Sequence, residues 1–526
     1  MAGITSYPQT TVSLLPAAIV DSFADRNDLI VGQQGATATA TTGNLYENLE
    51  SAIESDLRAL FGPDELYHRI LQWQAGNDGF SPLSVIPLDP AVGDAAEAVV
   101  TITGPAAGAG TINVSVVDEN QFSVSVDVVA TDTATEIADA IKAAFDALTD
   151  YPPFTTASAI GVLTFTASDV GTLGNFYSLK VTGAVADVAY TIVGFTGGTG
   201  ASSTTGIFDV IDGIRYTGIS WPEYWQADIA EVTDLLDARF NPANDILDGV
   251  AFTGHSDTYA NDISFVTPLN SQSLVVAGNN AVTGGNIEGS AIVIPADWAI
   301  TNFQGLRSKR LTPSAPISED IVALNAPLDA IGGPHTASLP YFNTPLTEVP
   351  VTGATYLFSN QEQNNLADDG FTTFGVNSAK NTMIMGATVT TRTTDSAGNV
   401  NDSFRFLNYV DTGSVCREII FRTLKATFSQ SRLAEGQARP GYSVATEDTI
   451  RAELGSIYRT LGNIVLVESG SDAERFFGGN TTVTINKASR LVTITSLLPI
   501  ITQLATINYP LSLTFTISST GTQIGF

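Results

Sequence analysis

What this chain has little of bounds it first. A single cysteine, Cys416, stands among 526 residues, so no internal disulfide framework can hold the fold. Basic side chains are scarce: 23 Lys and Arg face 54 Asp and Glu, a formal net charge of −31. Phosphate binding needs a basic face, so nucleic acid is not expected as a partner. Charged residues make up 15% of the chain, against about 25% in ordinary soluble domains. That suits a β-rich protein that hides much of its surface against neighbours. No run approaches the ~18 uncharged apolar residues of a membrane span, and stable membrane insertion is not expected. The opening MAGITSYPQTTVSLLPAAIVDSFADR has no basic stretch before its apolar part and makes a poor secretory signal. The expectation is a soluble protein assembled in the cytosol.

Catalytic and cofactor signals are also missing. The histidines His68, His255 and His335 are far apart, with no HExxH or HxxxH spacing. Every lysine follows a residue other than glycine, which excludes the GK[ST] phosphate loop. No GxSxG elbow occurs, and one cysteine without CxxC excludes a zinc ribbon. The glycine-rich GFTGGTGASSTTG (194–206) lacks a lysine and a following helix, and reads as a linker. The carboxylate pairs Asp368–Asp369 and Asp209/Asp212 lack the ligand spacing of a calcium loop. No catalytic residue, metal or cofactor is expected.

What is present points to a multidomain α/β and α+β chain, long enough for roughly three or four domains. Residues 1–300 hold 7 basic and 36 acidic side chains, whereas residues 301–526 hold 16 and 18, so the two halves face different surroundings. DLIVGQ (28–33) and LSVIPL (83–88) read as buried strands. Between them, Leu45, Leu49, Ile53, Leu57 and Leu60 predict one helix after Asn44. A second is predicted after Pro63, with Leu66, Ile70, Leu71 and Trp73 inward. From about Pro90 the texture changes to short Val/Thr strands and Gly-rich turns, with one helix opened by the capping box Thr133–Glu136. This segment holds twelve acids against Lys142 and Lys180, and reads as an inserted acidic β module. The α/β pattern then resumes with a helix over 222–240 and the strands GVAFTG, SLVVAG and AIVIP. Toward the end, helices are predicted over 414–434 and 447–461, then strands over 482–486 and 490–494.

The last strand alternates over twelve residues: Ile507, Tyr509, Leu511, Leu513, Phe515 and Ile517 share one side. Pro510 places it at an edge or starts its pairing later. Such a strand either pairs within its own domain or completes a neighbour's sheet. The N-terminal arm carries a similar short run, with Thr11, Val12 and Leu14 between Pro8 and Pro16.

Several segments are collinear with one known family. NQEQNNLADDGFTTFGV (360–376) resembles its E-x-N-x-L…G run, with Glu362, Asn365, Leu366 and Gly370 in the matching places. IMGATVTTRTTDSAGNVNDSF (384–404) is similar to its strand–Arg–turn–Asp stretch, with Arg392, Gly398 and Asp402 in register. REIIFRTLKATFSQSRLAEG (417–436) and TEDTIRAEL follow in order, and upstream LFGPDELYHRILQW and GTLGN also match. Over about residues 26–517 the chain resembles the contractile tail sheath proteins of myoviruses, closest to the Mu-like branch.

That resemblance implies a non-enzymatic virion protein, assembled in the host cytoplasm. Copies of it stack as hexameric rings in a helical cylinder around a tail tube protein, between baseplate and tail terminator proteins, and contraction drives the tube through the host envelope. It implies a discontinuous subtilisin-like α/β central domain, although no Asp–His–Ser subtilase motif is present. The expected division is an arm (1–25), the core's first part (26–92), the acidic outer module (93–203), the core's second part (204–402), a tube-facing C-terminal domain (403–504) and a C-terminal strand arm (505–526). Strand exchange between subunits would use Thr11, Val12, Leu14 and the six alternating residues from Ile507 to Ile517. Arg417, Arg422, Lys425 and Arg432 span roughly 140° of a helix and are expected on the tube-facing surface. The competing reading, an outer-membrane or surface β-rich structural protein, draws on Phe526, the alternating last strand and the acidity.

Overall fold

The structure is a computed structural model and describes residues 9–14, 26–79, 81–149, 151–211, 213–222, 228–240, 248–281, 293–311, 336–353, 356–395, 397–401, 403–434, 444–486 and 491–501. The first elements are strands β1 (Gln9–Leu14) and β2 (Asp28–Gln33), helices α1 (Glu54–Phe61) and α2 (Glu65–Asn77), and strand β3 (Leu83–Leu88). Then come β4 (Ala95–Thr103), β5 (Gly110–Val116), β6 (Ser123–Val128), α3 (Ala134–Asp146), β7 (Phe154–Ala159), β8 (Val162–Val170), β9 (Leu179–Thr182) and β10 (Ala189–Thr196). A third group is β11 (Gly218–Trp221), α4 (Ile229–Arg239), β12 (Val250–Gly254), α5 (Tyr259–Val266), β13 (Leu274–Gly278), α6 (Ala296–Leu311), α7 (Asn360–Asp368), β14 (Phe371–Val376) and β15 (Met383–Met385). The last comprises α8 (Leu407–Phe428), β16 (Arg432–Leu433), β17 (Val444–Ala445), α9 (Glu447–Asn463), α10 (Ser471–Gly479), β18 (Thr482–Asn486) and β19 (Leu491–Leu497).

Short, wholly buried runs such as DLIVGQ, LSVIPL, VAFTG and LVVAG suit strands covered on both faces, the condition of a parallel sheet. They form a seven-stranded sheet of order β15-β14-β13-β12-β11-β2-β3, parallel except for β15. Because side chains alternate, Leu29 and Val31 join α4, α5 and α7 on one face, while Ile30 joins α1 and α2 on the other. Helix α6 packs beside α2 on that second face. Gly76 and Gly305 permit the approach: a Cβ on Gly76 would lie 2.2 Å from the Asn302 carbonyl oxygen, and one on Gly305 2.4 Å from that of Trp73. Numbered within the sheet alone, the parallel strands run 2-1-3-4-5-6, a doubly wound order.

Between β3 and β11 the chain leaves the sheet and returns. Its two ends meet where the Thr199 N–H donates to the Asp94 carbonyl at 3.0 Å and the Asp94 N–H to the Thr199 hydroxyl at 3.1 Å. The excursion folds as two antiparallel sheets, β10-β4-β8-β7 and β6-β5-β9. Helix α3 buries Ile137, Ile141 and Phe145 against Phe154, Leu163 and Phe165. Its Thr133–Glu136 capping box forms as the sequence predicts.

The C-terminal region has its own core. Val415, Ile420 and Leu424 of α8 meet Ile450, Leu454, Ile457 and Leu461 of α9, Phe477 of α10, and Val492 and Ile494 of β19. Cys416 is buried among them, and burial pushes its thiol up. The three-stranded sheet β1-β19-β18 packs against α8 and α9.

Four predicted elements come out differently. The helix over 45–60 shrinks to α1, because Tyr46 and Leu49 instead bond to the backbone of Val85 and Leu83 beside β3. The helix over 414–434 begins at Leu407 and stops at Phe428. The helix over 222–240 is described from Ile229, with 223–227 outside the described residues. Of AIVIP, residues 293–295 carry no strand, and 291–292 lie outside the description.

Candidate functional site: arm strand, arm root and basic helix face

Strand β1 pairs antiparallel with β19, with Thr11 opposite Thr495, Val12 opposite Ile494 and Leu14 opposite Val492. Two strands separated by nearly the whole chain thus become neighbours. Among the described residues β1 lies at one edge of the sheet, bonded along one side, and β18 forms the other edge with Thr482, Thr484 and Asn486 exposed. The second set of expected exchange residues, Ile507, Tyr509, Leu511, Leu513, Phe515 and Ile517, lies outside the described residues.

Arg26 is held at two points. Its carbonyl accepts the Ser308 hydroxyl of α6 at 3.0 Å, and its guanidinium pairs with Glu418 of α8 at 3.1 Å. Next to it the Asn27 carbonyl accepts the Thr217 N–H at 2.8 Å. Glu418 is a hub. It also pairs with Arg215, just before β11, at 2.9 Å and with Arg422, one turn along α8, at 2.6 Å. Burial alone would raise its carboxyl, but the guanidiniums of Arg26, Arg215 and Arg422 bring it down to about 2. Asp248, before β12, sits between Arg215 at 3.3 Å and Arg417 at 2.8 Å, and those two charges outweigh burial and hold its carboxyl far below the usual range. Arg307 of α6 grips Asp411 of α8 through two nitrogens and donates to the Thr217 carbonyl at 3.0 Å. Tyr341 donates to the same aspartate at 2.7 Å. One continuous ionic layer therefore ties arm root, central sheet and α8 together.

The four basic residues proposed from sequence do not form one surface. Arg417 is a correction: only 6% exposed, it donates to the Phe240 carbonyl at 3.0 Å, stacks over the Phe240 ring and pairs with Asp248. The reason is electrostatic, since a carboxylate buried beside the sheet needs a counter-charge. Arg422 is half-buried on Glu418, Lys425 is half-buried with its ammonium 5.7 Å from the Phe421 ring, and Arg432 is exposed on β16.

The ionic hub was not anticipated, although a signal existed. Seven basic residues occur in the first 300 positions, and Arg69, Arg215 and Arg239 among them are buried in ion pairs or carbonyl contacts. Arg69 and Arg215 neutralise carboxylates held inside the fold, whereas Arg239 holds the Ile211 and Ile214 carbonyls, so an isolated arginine in this acidic segment marks a buried acceptor.

The remaining candidates serve packing. His68 is stacked on Trp298, with its Nε2 3.1 Å from the Tyr151 carbonyl, and burial lowers it to about 4. His255 is stacked on Phe265, with Nδ1 2.7 Å from Asp262. His335 and Asp212 lie outside the described residues, and Asp368 pairs with Arg405. Among the described residues, no group of three or more His, Cys, Asp or Glu could hold a metal ion. None of the described helices is long and apolar enough to cross a membrane.

The motif residues near 360–376 now have physical roles. Glu362 closes a capping box with Ser359, Asn365 donates to the Tyr259 hydroxyl at 3.0 Å, and Leu366 is fully buried. Gly370 turns the chain into β14 at φ 90°, where a Cβ would meet the Thr391 backbone at 2.9 Å.

No family model and no curated protein matches this chain. Among solved structures it is similar to a sheath tail protein of Desulfitobacterium hafniense, with a TM-score of 0.44 and 12% identity over 88% of this chain and 90% of that one. It is similar also to a sheath tail protein of Listeria innocua, with a TM-score of 0.44 and 12% identity over 91% and 92% of the two chains.

Proposed function

We propose that the chain is a structural, non-enzymatic subunit of a contractile phage tail sheath. It assembles as stacked six-membered rings around a tail tube, and its terminal strands are lent to adjoining copies. The observation that carries this reading is the seat of β1. An edge strand bonded along one side, on a sheet otherwise built from the far end of the chain, is one whose place an identical strand from another copy can take. The arm is held from Arg26 onward by Ser308 and Glu418, so a strand lent outward stays tied to the ionic layer. The alternating segment from Ile507 to Ile517 offers a second strand of the same kind. The segment-by-segment resemblance over 26–517 supports the same reading.

In this arrangement the doubly wound sheet, in two parts flanking the insertion, stands as the central subtilisin-like domain. The acidic module points outward, where its bulk leaves the lattice free. Arg422, Lys425 and Arg432 face the tube, without Arg417. The tube protein and the baseplate and terminator proteins are the further partners, in a virion tail put together in the host cytoplasm. Negative-stain microscopy of the purified full-length chain tests the proposal. Striated tubules are the expected result, and a lasting monomer at high concentration contradicts it.

A further inference from the structure

An open parallel sheet ordinarily takes its ligand at the carboxyl ends of the strands, where the strand order reverses. In this chain that place lies between β2 and β11, and the inserted module occupies it. Asp169, at the end of β8, is 2% exposed and accepts the Glu65 backbone N–H at 2.8 Å and the Gln33 side-chain amide at 3.3 Å. The groups facing it come from every element packed there. Asp64 and Glu65 stand at the start of α2, Asp297 at the start of α6, and Tyr177 follows within the module. Arg69 is a cation among them, and it pairs with Glu65 at 3.2 Å and donates to the Val31 carbonyl at 2.9 Å. His68 is the nearby imidazole, held neutral on Trp298. Asp64, Glu65 and Asp169 are all buried at this joint, and carboxyls gathered away from water resist full ionisation.

We propose that this joint is a proton-held latch: the module stays seated on the sheet while the Asp64–Asp169 pair keeps a proton, and it loosens when that proton is lost. Burial pushes both carboxyls up, Asp169 further than Asp64, and the charge of Asp64 adds to the effect on Asp169. Burial also raises Glu65. The sign follows from linkage. The seated form binds protons more tightly than the open form, so the seat is firmest below the ordinary carboxylate range and weakens as pH rises toward the raised values. Contacts that do not titrate keep the module tethered. Gln33 donates to the Val170 carbonyl at 2.9 Å, and Ser178 and Val293 exchange hydrogen bonds at 2.9 and 3.0 Å. Loss of the proton therefore opens the joint locally and does not detach the module.

Hydrogen exchange on the full chain, at about pH 6 and about pH 9 and corrected for intrinsic chemistry, tests this. Peptides covering 64–73 and 163–178 are expected to open at least about tenfold more at the higher pH. Asp169→Asn, neutral and of the same size, keeps one of the two acceptor oxygens and is expected to show a diminished pH response. Exchange in the native chain that follows intrinsic chemistry alone overturns the proposal, and so does an undiminished pH response in Asp169→Asn. Should that variant fail to fold, Asp64→Asn serves in its place. A reduced response supports the latch and an unchanged one overturns it. Asp28, at the opposite end of β2, and Asp118, in the β5–β6 turn, are raised to about 7 and about 6. Their responses remain in both variants and identify themselves by that persistence.

Discussion

Replacing Glu418 by glutamine keeps the outline of the side chain and removes one negative charge where three guanidiniums converge. Glu418 has an 8% exposed side chain, with Arg26 at 3.1 Å, Arg215 at 2.9 Å and Arg422 at 2.6 Å. Its carboxyl stands at about 2 against an ordinary 4.5, because those three charges outweigh burial. At about 1.36 kcal/mol per pKa unit, that corresponds to about 3 kcal/mol favouring the ionised form in the fold. Breaking a buried ion pair from one side costs about 3–5 kcal/mol, so two separate routes agree. The variant should lose about 3 kcal/mol from the unfolding of the α8 region, read as a fall in the urea midpoint by circular dichroism and as faster hydrogen exchange in α8 and residues 26–33. Adding Arg26→Met removes one of the three guanidiniums left facing the amide and should restore part of the loss. A change below about 1 kcal/mol, the size of a surface pair, would refute the hub.

Three further outcomes follow from the same geometry. Glu418 and Asp248 are both depressed, so the stability they contribute is complete above the ordinary carboxylate range and is lost as pH falls through their folded values. Urea midpoints should therefore decline below about pH 4, and less steeply in Glu418→Gln. Gly305→Ala puts a methyl 2.4 Å from the Trp73 carbonyl oxygen, and α2 and α6 must part. A loss of about 2 kcal/mol in thermal melting is expected, and an unchanged melting temperature would show that the helices can shift freely. Reversing Lys425 and Arg432 to glutamate, neither of them fully buried, should lower the melt only slightly, through Lys425 in the last turn of α8, and block assembly on the tube. Normal tails would remove these residues from the tube-facing surface.

Much of the fold was legible where one physical signal dominated. The largely apolar runs DLIVGQ, LSVIPL and SLVVAG are strands of the parallel sheet, because burial on both faces removes the need for alternation. Thr133 with Glu136, and the stripe from Ile450 to Leu461, marked α3 and α9 because capping and helical spacing agree there. Helix α6 escaped notice because it is buried nearly all round, with Asp297, Thr301, Asn302, Gln304 and Ser308 buried beside Trp298, Ile300 and Phe303, so its sequence shows no apolar stripe. Tyr46 and Leu49 misled because helical spacing over a short stretch cannot register a backbone ladder to β3 formed later in the chain. In the candidate site, the arm strand was visible as an apolar run, whereas its partner β19 lies almost 480 residues away. The ionic layer was invisible for a related reason. An arginine reads as surface until the carboxylate it must neutralise is located, and Asp248 lies far from Arg417 in sequence.

The most direct measurement is electron microscopy of cylinders assembled from full-length chain and from chains lacking either residues 1–14 or the segment from Ile507 onward. Full-length subunits should give connected, striated cylinders that shorten without falling apart. Removing either strand should leave separate rings or monomers whose melting is otherwise preserved. Intact, shortening cylinders built from either truncated chain would contradict the exchange of strands between subunits.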